Sequence, residues 1–171
     1  MTDLATFAFS TCDFCDAHKA QGDDTLGVFP PRFQSWGGKS CFAGPVSTVK
    51  CFEDNSLVKA ALERPGRGGV LVVDGGGSLR RALVCGNIAA AAAANGWSGV
   101  VINGCVRDAN ELNGADVGIR ALALIPMPTE RRGEGQADII LNICGVIVRP
   151  GDWLYADADG MLVSALPLHG S

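Results

Sequence analysis

The sequence lacks any apolar run long enough to cross a bilayer, although 47% of its 171 residues are hydrophobic. Gly, Asn or a charged residue interrupts each apolar stretch before it reaches the roughly 20 residues that a spanning helix needs. The start, MTDLATFAFSTCDF, carries an acidic residue where a secretory signal is basic, so we expect no export. These absences predict a soluble, cytoplasmic protein without a membrane partner.

Clusters of basic residues are also missing. The net charge is -4, and the basic residues are dispersed apart from the pairs Arg80/Arg81 and Arg131/Arg132. A nucleic-acid surface needs Lys and Arg gathered on one face, so we expect no direct contact with nucleic acid. Charged residues make up only 19% of the chain, which leaves few to solvate the surface of a monomer. We therefore expect a homo-oligomer.

The seven cysteines lack the pattern of a closed zinc site. Cys12 and Cys15 form a CxxC pair, but no second CxxC and no HxxxH follows it. Their odd number, in a chain without an export signal, predicts reduced thiols in the core. Ser10 and Asp13 fit a capping box, which predicts a short helix that begins here and turns its Cys and Phe side chains toward the core.

The middle of the chain is predicted to form a parallel βαβ unit. VLVVD (70–74) and GVVINGCV (99–106) are short, continuous apolar runs, typical of strands that are buried on both faces. The alanine-rich stretch 86–95 between them is a strong helix former. Several β-rich segments follow, and the length of the chain fits a single domain over residues 1–171. The fold class predicted is α/β, with a β-rich C-terminal part.

Ligands of such units bind at the carboxyl ends of the parallel strands. Loops 74–78 and 103–108 both reach that edge. The alanine-rich helix begins either at the opposite end of the crossover or, if its preceding loop is long enough, at this edge. In the second arrangement, the amides of Gly86, Asn87 and Ile88 offer a natural site for a carboxylate or a phosphate.

Arg107 and Asp108 stand where the second buried strand ends. Such a pair is often solvated surface, but its position at the mouth of the strand favours a functional site. Glu111 shares a face with Asp108 if a helical turn follows. Two carboxylates beside one arginine suit Mg²⁺ or Mn²⁺, because these ions bind few protein ligands and keep many of their water molecules. The nearby GGGSLRRAL loop matches neither GxGxxG nor GxxxxGK[ST], which weakens any nucleotide hypothesis.

Four stretches together resemble the family of the regulator of ribonuclease activity A. They are GGKSCFAGPVSTVKCFEDN, VLVVDGGGSLRRALV, GWSGVVINGCVRD and GVIVRPGDWLYAD. The family also contains the class II 4-hydroxy-4-methyl-2-oxoglutarate aldolases and related oxaloacetate decarboxylases. The resemblance covers a core from about Thr11 to Leu166 and implies a swivelling β/β/α domain. It further implies a homotrimer or hexamer with active sites between subunits.

The resemblance also implies roles for individual residues. Arg107 would be the catalytic residue that contacts the keto oxygen, Asp108 would hold Mg²⁺ largely through water, and amides near Gly86 would bind the substrate carboxylate. The aldolases have an acid where this chain has Gly86, twenty intervening residues before the Arg-Asp pair. Related members with Gly there have an acid three positions after the Asp, as Glu111 is here, which implies a second-shell role at the metal.

Two functions fit these residues. The first is a metal-dependent lyase on small 2-oxo acids, with oxaloacetate decarboxylation less affected than aldol cleavage by the acid missing at Gly86. The second is a non-catalytic regulator that binds and inhibits a ribonuclease E-like endoribonuclease. Asp108 favours the lyase, because a pure binding module has no need of an acid at the strand mouth. A methyltransferase, an old label in this family, is disfavoured because no GxGxxG follows the first strand of the βαβ unit.

Overall fold

A computed structural model describes residues 7–21 and 25–170. Within these residues the chain forms four helices and twelve strands. The helices are α1 Thr11–Gln21, α2 Ser56–Leu62, α3 Gly86–Ala94 and α4 Ala109–Gly114. The first six strands are β1 Gly27–Val28, β2 Gln34–Gly37, β3 Phe42–Lys50, β4 Val70–Asp74, β5 Ala82–Val84 and β6 Gly99–Val106. The remaining strands are β7 Gly118–Leu124, β8 Gln136–Ala137, β9 Leu141–Ile143, β10 Val146–Val148, β11 Trp153–Asp157 and β12 Gly160–Ser164.

The centre of the main sheet is a run of parallel strands in the order β3, β4, β6 and β7. All five residues of β4 are buried, as expected for a strand covered on both faces. Val70 pairs with Gly99 and Asp74 with Asn103, so β4 and β6 end at the same edge. The predicted βαβ unit is confirmed. The short strand β5, which also pairs with β6 in parallel, was not predicted.

Two apolar cores lie on opposite faces of this sheet. On one face, Leu71 and Val73 pack with side chains of the helices, including Leu62 of α2 and Ile88 of α3. On the other face, Val72 and other sheet residues pack against the C-terminal strands β9 to β12. The layers are therefore β, β and α. This confirms the predicted α/β class, the β/β/α arrangement and the β-rich C-terminal part.

Several local features of the structure add to or correct the predictions. Strands β1 and β2, between residues 25 and 40, were not predicted. Helix α1 does begin as predicted, with the amide of Asp13 donating to Ser10 Oγ at 3.2 Å. Its Cys12 side chain is exposed rather than turned toward the core, as are Cys41 and Cys144. An α-helical turn at 109–114 follows Asp108, which is the condition for pairing Asp108 with Glu111 on one face.

No helix in the described residues is long and apolar enough to span a membrane. The division of the chain into a single domain over residues 1–171, with a core at about 11–166, stays a prediction.

Candidate active site

Helix α3 begins at the carboxyl edge of the parallel strands, which decides between the two arrangements considered above. Strand β5 extends the chain along the end of β6, and the amide of Arg107 donates to the carbonyl oxygen of Val84 at 3.0 Å. Gly86 therefore starts the helix directly beside Asp108. The geometry thus brings the N-terminus of α3 and the end of β6 to one site.

Asp108 has a left-handed backbone, with φ 64° and ψ 53°. Asp is among the few non-glycine residues that adopt this region, and such residues often occur at functional sites. The conformation turns its carboxylate toward α3, where Asp108 Oδ2 accepts a hydrogen bond of 3.0 Å from the amide of Gly86. No hydrogen-bond donor to Asp108 Oδ1 is found in the described part of the chain, so this oxygen remains available to a ligand.

The next two amides of α3 have no acceptor among the described residues. The first backbone bond of the helix runs from the amide of Ala89 to the carbonyl oxygen of Cys85, at 3.0 Å. The amides of Asn87 and Ile88 precede it, and the N-cap residue Cys85 provides no side-chain cap. Of the three amides predicted to bind a carboxylate, Gly86 is already hydrogen-bonded to Asp108. Asn87 and Ile88 keep the donor capacity that attracts anions to helix N-termini.

Glu111 fills the space that a side chain at position 86 would need. A Cβ atom built on Gly86 would lie 2.6 Å from Glu111 Cβ and 3.1 Å from Glu111 Cγ. It would also lie 3.5 Å from Asp108 Cβ. Only glycine fits here without a shift of α4, because the Cβ and Cγ atoms of Glu111 occupy the space beside position 86.

Arg107 is half-buried and directly precedes Asp108 in the chain. Its Nη1 donates to the carbonyl oxygen of Pro126 at 3.3 Å. No carboxylate of the described residues lies within salt-bridge distance of Arg107, whereas Arg80 pairs with Glu53 and Arg132 with Glu130. The Arg107 guanidinium therefore has donors free for an anionic or carbonyl ligand.

The acids at this edge fit a water-rich magnesium site better than a site formed by protein ligands alone. The described residues contain no group of three or more His, Cys, Asp or Glu side chains that could hold a metal ion. Asp108 is exposed, with one oxygen without a donor, and Glu111 stands beside it. Mg²⁺ commonly binds through one or two carboxylates while keeping several water molecules, so the donor set suits Mg²⁺ or Mn²⁺.

Sequence reasoning missed a second group of residues next to Arg107. They line a cleft of about 280 Å³ together with it: Asn55, Ala82, Cys85, Pro128, Thr129 and Arg131. Asn55 precedes α2, whereas Thr129 and Arg131 belong to the segment after β7. No regular spacing connects these segments. The single sequence signal was the basic pair Arg131/Arg132.

Asp54 connects the segment after β7 to the start of α2 through hydrogen bonds. It is 2% exposed, and its Oδ2 accepts hydrogen bonds from the amides of Arg132 at 2.7 Å and Glu134 at 3.2 Å. Its Oδ1 accepts hydrogen bonds from the amide and the hydroxyl of Ser56. Asp54 therefore stabilises the start of α2, where the N-cap residue Asn55 makes no capping hydrogen bond with its side chain. Burial alone would raise the pKa of Asp54, but these hydrogen bonds outweigh burial and lower it to about 2.

The glycine loop 75–77 is held by the end of β6. The amides of Gly75 and Gly77 both donate to the carbonyl oxygen of Asn103 at 3.1 Å, and Asp74 Oδ1 accepts from Asn103 Nδ2 at 3.2 Å. Gly76 and Gly77 have positive φ angles of 68° and 72°, which the turn requires. The glycines of this loop therefore have a structural role, because they form the turn that is hydrogen-bonded to the end of β6.

Comparison with known proteins gives consistent matches over nearly the whole chain. The RraA-like model, described as Aldolase/RraA, matches residues 11–163. A protein of Albidiferax ferrireducens, whose name gives it as a proposed 4-hydroxy-4-methyl-2-oxoglutarate aldolase, is 62% identical over 94% of this chain and 97% of its own.

Two solved structures are similar at a TM-score of 0.90. One, from Thermus thermophilus, is named the RNA-processing inhibitor RraA. It is 44% identical over 96% of this chain and 97% of its own. The other, from Geobacillus kaustophilus, is named an S-adenosylmethionine:2-dimethylmenaquinone methyltransferase. It is 42% identical over 95% of this chain and 99% of its own.

Proposed function

The chain belongs to the RraA-like family of aldolases and RraA proteins, and on that premise we propose that it is a divalent-metal-dependent lyase of small 2-oxo acids. Its reactions would be oxaloacetate decarboxylation and, more weakly, retro-aldol cleavage of 4-hydroxy-4-methyl-2-oxoglutarate, both of which yield pyruvate. The observation that carries the proposal is the left-handed Asp108, which turns its carboxylate to the first amide of α3 beside Glu111. A surface that only binds protein has no physical need of an acid at the mouth of this strand.

The substrate would bind through groups that the site leaves without partners. The amides of Asn87 and Ile88 would hold the carboxylate of the pyruvoyl group, because the N-terminus of a helix favours anions. Arg107 would donate to the keto oxygen, where negative charge develops as the carbon–carbon bond breaks. The positive charge of Arg107 suits this role because no described acid neutralises it.

Asp108 would hold Mg²⁺ or Mn²⁺, with Glu111 acting through a water molecule. The ion, when bound, supplies positive charge beside the substrate oxygen that becomes negative. The hydrogen bond from the Gly86 amide would keep Asp108 Oδ1 directed outward, as a supporting contact does for a metal ligand.

The two reactions make different demands on this chain. In oxaloacetate the bond to the C4 carboxyl breaks, its electron pair becomes the pyruvate enolate, and carbon dioxide leaves without the removal of a proton. Water then protonates C3. Retro-aldol cleavage also requires a base to take the C4 hydroxyl proton. Glu111, in the space of the missing acid at 86, is the candidate base through water, and we expect it to be less efficient than a direct one.

Pyruvate release from oxaloacetate tests the proposal. The rate should exceed that of a protein-free solution at the same Mg²⁺ concentration, fall to background with a chelator and return when excess Mg²⁺ is added. A rate equal to the protein-free control at every Mg²⁺ concentration would remove the lyase from consideration.

A second candidate function is the regulation of a ribonuclease E-like endoribonuclease. It is favoured by the similarity to the Thermus protein, which is named an RNA-processing inhibitor. The test is whether the purified protein binds such an enzyme and slows its cleavage of RNA. Inhibition that persists in Asp108→Asn would assign a role independent of the lyase site, and no binding would exclude this candidate.

Assembly as a homotrimer or hexamer is part of the same proposal. Exposed apolar side chains follow three parallel strands at the edge that carries the site: Phe52 is 59% exposed, Leu79 58% and Met127 52%. Covering them with another subunit would remove apolar area from water. Analytical ultracentrifugation should therefore give a mass of three or six chains, and a monomer at micromolar concentration would contradict this arrangement.

A further inference from the structure

The cleft beside Arg107 carries two arginines and no acid. Arg107 and Arg131 both line it, and its other lining residues are neutral. The described residues provide neither arginine with a salt bridge, whereas the neighbouring Arg132 is paired with Glu130. A cleft with two uncompensated guanidinium groups is suited to a carboxylate, which arginine binds with two parallel hydrogen bonds.

Arg131 is exposed but its guanidinium is held in place. Its Nε donates to Asn55 Oδ1 at 3.2 Å, and Asn55 itself is 6% exposed. The amide group of Asn55 is fixed in turn, because its Nδ2 donates to the carbonyl oxygen of Leu83 at 3.1 Å. The backbone next to Arg131 is anchored by Asp54 through the amide of Arg132. The two Nη groups of Arg131 have no acceptor in the described residues, so an oriented pair of donors remains for a ligand.

Thr129 lines the same cleft, but its hydroxyl oxygen is not accessible from it. Its Oγ1 is buried and has no hydrogen-bond partner among the described residues. An unsatisfied buried hydroxyl is costly, and native proteins rarely leave one without a partner. The two arginines, and not this hydroxyl, therefore define where a ligand would bind in the cleft.

We infer that this cleft binds a second carboxylate of the substrate, and that Arg131 is the residue that selects 2-oxo dicarboxylic acids over their monocarboxylic analogues. The inference rests on the proposed function, because the first carboxylate would occupy the amides of Asn87 and Ile88. It also restricts which dicarboxylates benefit. A carboxylate bound by arginine is stabilised as an anion, so the cleft favours substrates whose distal carboxylate keeps its charge throughout the reaction.

This condition separates the two proposed substrates. In retro-aldol cleavage of 4-hydroxy-4-methyl-2-oxoglutarate, the distal carboxylate leaves as part of the second pyruvate and stays charged. In oxaloacetate the second carboxylate is the group that becomes carbon dioxide, and its charge passes to the enolate. Binding it to Arg131 would stabilise the ground state more than the transition state. Arg131 should therefore promote the aldol reaction and give little or no benefit to decarboxylation.

The kinetic test compares two substrates that differ only at the distal group: 4-hydroxy-4-methyl-2-oxoglutarate and 4-hydroxy-4-methyl-2-oxopentanoate, in which a methyl replaces the carboxylate. In Arg131→Gln, kcat/KM for the dicarboxylate should fall roughly 10- to 100-fold, mainly through KM, as expected when hydrogen bonds to a charged group are lost. The value for the monocarboxylate should stay unchanged, and Arg132→Gln should change neither. Equal losses for both substrates would show a structural role instead and overturn the inference.

A binding measurement tests, without turnover, whether the cleft binds a distal carboxylate. With Mg²⁺ present, calorimetry should show that the wild type binds 2-oxoglutarate at least about 10-fold more tightly than 2-oxopentanoate, in which a methyl group replaces the distal carboxylate. Arg131→Gln should abolish this difference. If the wild type shows no preference, the inference fails even when pyruvate is released from oxaloacetate. If the preference is present but no pyruvate is released, the cleft is right and the proposed lyase is wrong.

Discussion

Gly86 and Glu111 occupy one space at the site: a Cβ atom at position 86 would lie 2.6 Å from Glu111 Cβ. The absence of an acid at 86 and the presence of one at 111 are therefore a single structural feature. The first residue of α3 has no side chain where the Cβ and Cγ atoms of Glu111 in α4 lie. The sequence departs from the aldolase pattern by having Gly86 in place of an acid. As a result, Glu111 of α4 is the acid that is left to act as the base in retro-aldol cleavage.

The role of Glu111 as a base can be tested with Glu111→Gln, which keeps its size and removes its charge. We expect retro-aldol turnover to fall about 10²-fold, the lower end of the range for a general base, because Glu111 would act through water. Oxaloacetate decarboxylation needs no base and should change by less than about 3-fold. Parallel assays of pyruvate release measure both. Equal effects on the two reactions would refute this role.

Because Gly86 and Glu111 share one space, a substitution at position 111 should restore the stability that is lost by a substitution at position 86. Gly86→Asp alone should destabilise the protein by about 1–3 kcal/mol, because its Cβ overlaps that of Glu111. Adding Glu111→Gly should recover much of this loss, since it removes the opposing Cβ and exchanges glycine and acid between α3 and α4. Thermal unfolding of the single and double variants measures the recovery.

The matched control for this exchange is Gly86→Asp with Glu111→Ala. Alanine keeps the Cβ atom at position 111, so this variant should stay nearly as unstable as Gly86→Asp alone. Equal stability of the two double variants would mean that charge, rather than space, connects these positions.

Asp54 predicts a pH-dependent contribution to stability. Its pKa is about 2 in the folded protein, below the ordinary 3.8, so folding favours the ionised form. The contribution is complete above about pH 4 and is lost as the pH falls toward 2. Asp54→Asn should therefore lower the free energy of unfolding by roughly 1–3 kcal/mol at pH 7.

The deficit of Asp54→Asn relative to the wild type should shrink as the pH is lowered from 4 toward 2. Urea unfolding across that range measures it, with Asp116→Asn as a control because Asp116 is exposed. A deficit that is constant over this range would indicate that shape, and not charge, makes the contribution.

The sequence predicted the elements whose pattern is local and periodic. VLVVD and GVVINGCV became β4 and β6 because a strand covered on both faces needs a continuous apolar run. The alanine-rich stretch became α3. Strand β5 was not foreseen, since three residues carry too little pattern to separate a strand from a loop. Yet β5 determines that α3 begins beside Asp108.

The site was predictable only in part, for the same reason. Arg107, Asp108 and Glu111 are close in sequence and follow a recognisable strand. Asn55 and Arg131 are 76 positions apart, and their hydrogen bond depends on how two irregular segments meet. The left-handed backbone of Asp108 likewise arises from its tertiary setting and has no signal in composition or periodicity.

The most direct test of the account is the magnesium dependence of pyruvate release from oxaloacetate in Asp108→Asn. Asparagine also adopts the left-handed backbone and can accept the hydrogen bond of the Gly86 amide, so the fold should be retained. We predict that Asp108→Asn loses roughly 10²-fold or more of kcat/KM at every Mg²⁺ concentration, while Asp116→Asn keeps the wild-type value. An Asp108→Asn protein with the wild-type rate and the wild-type magnesium dependence would contradict the account.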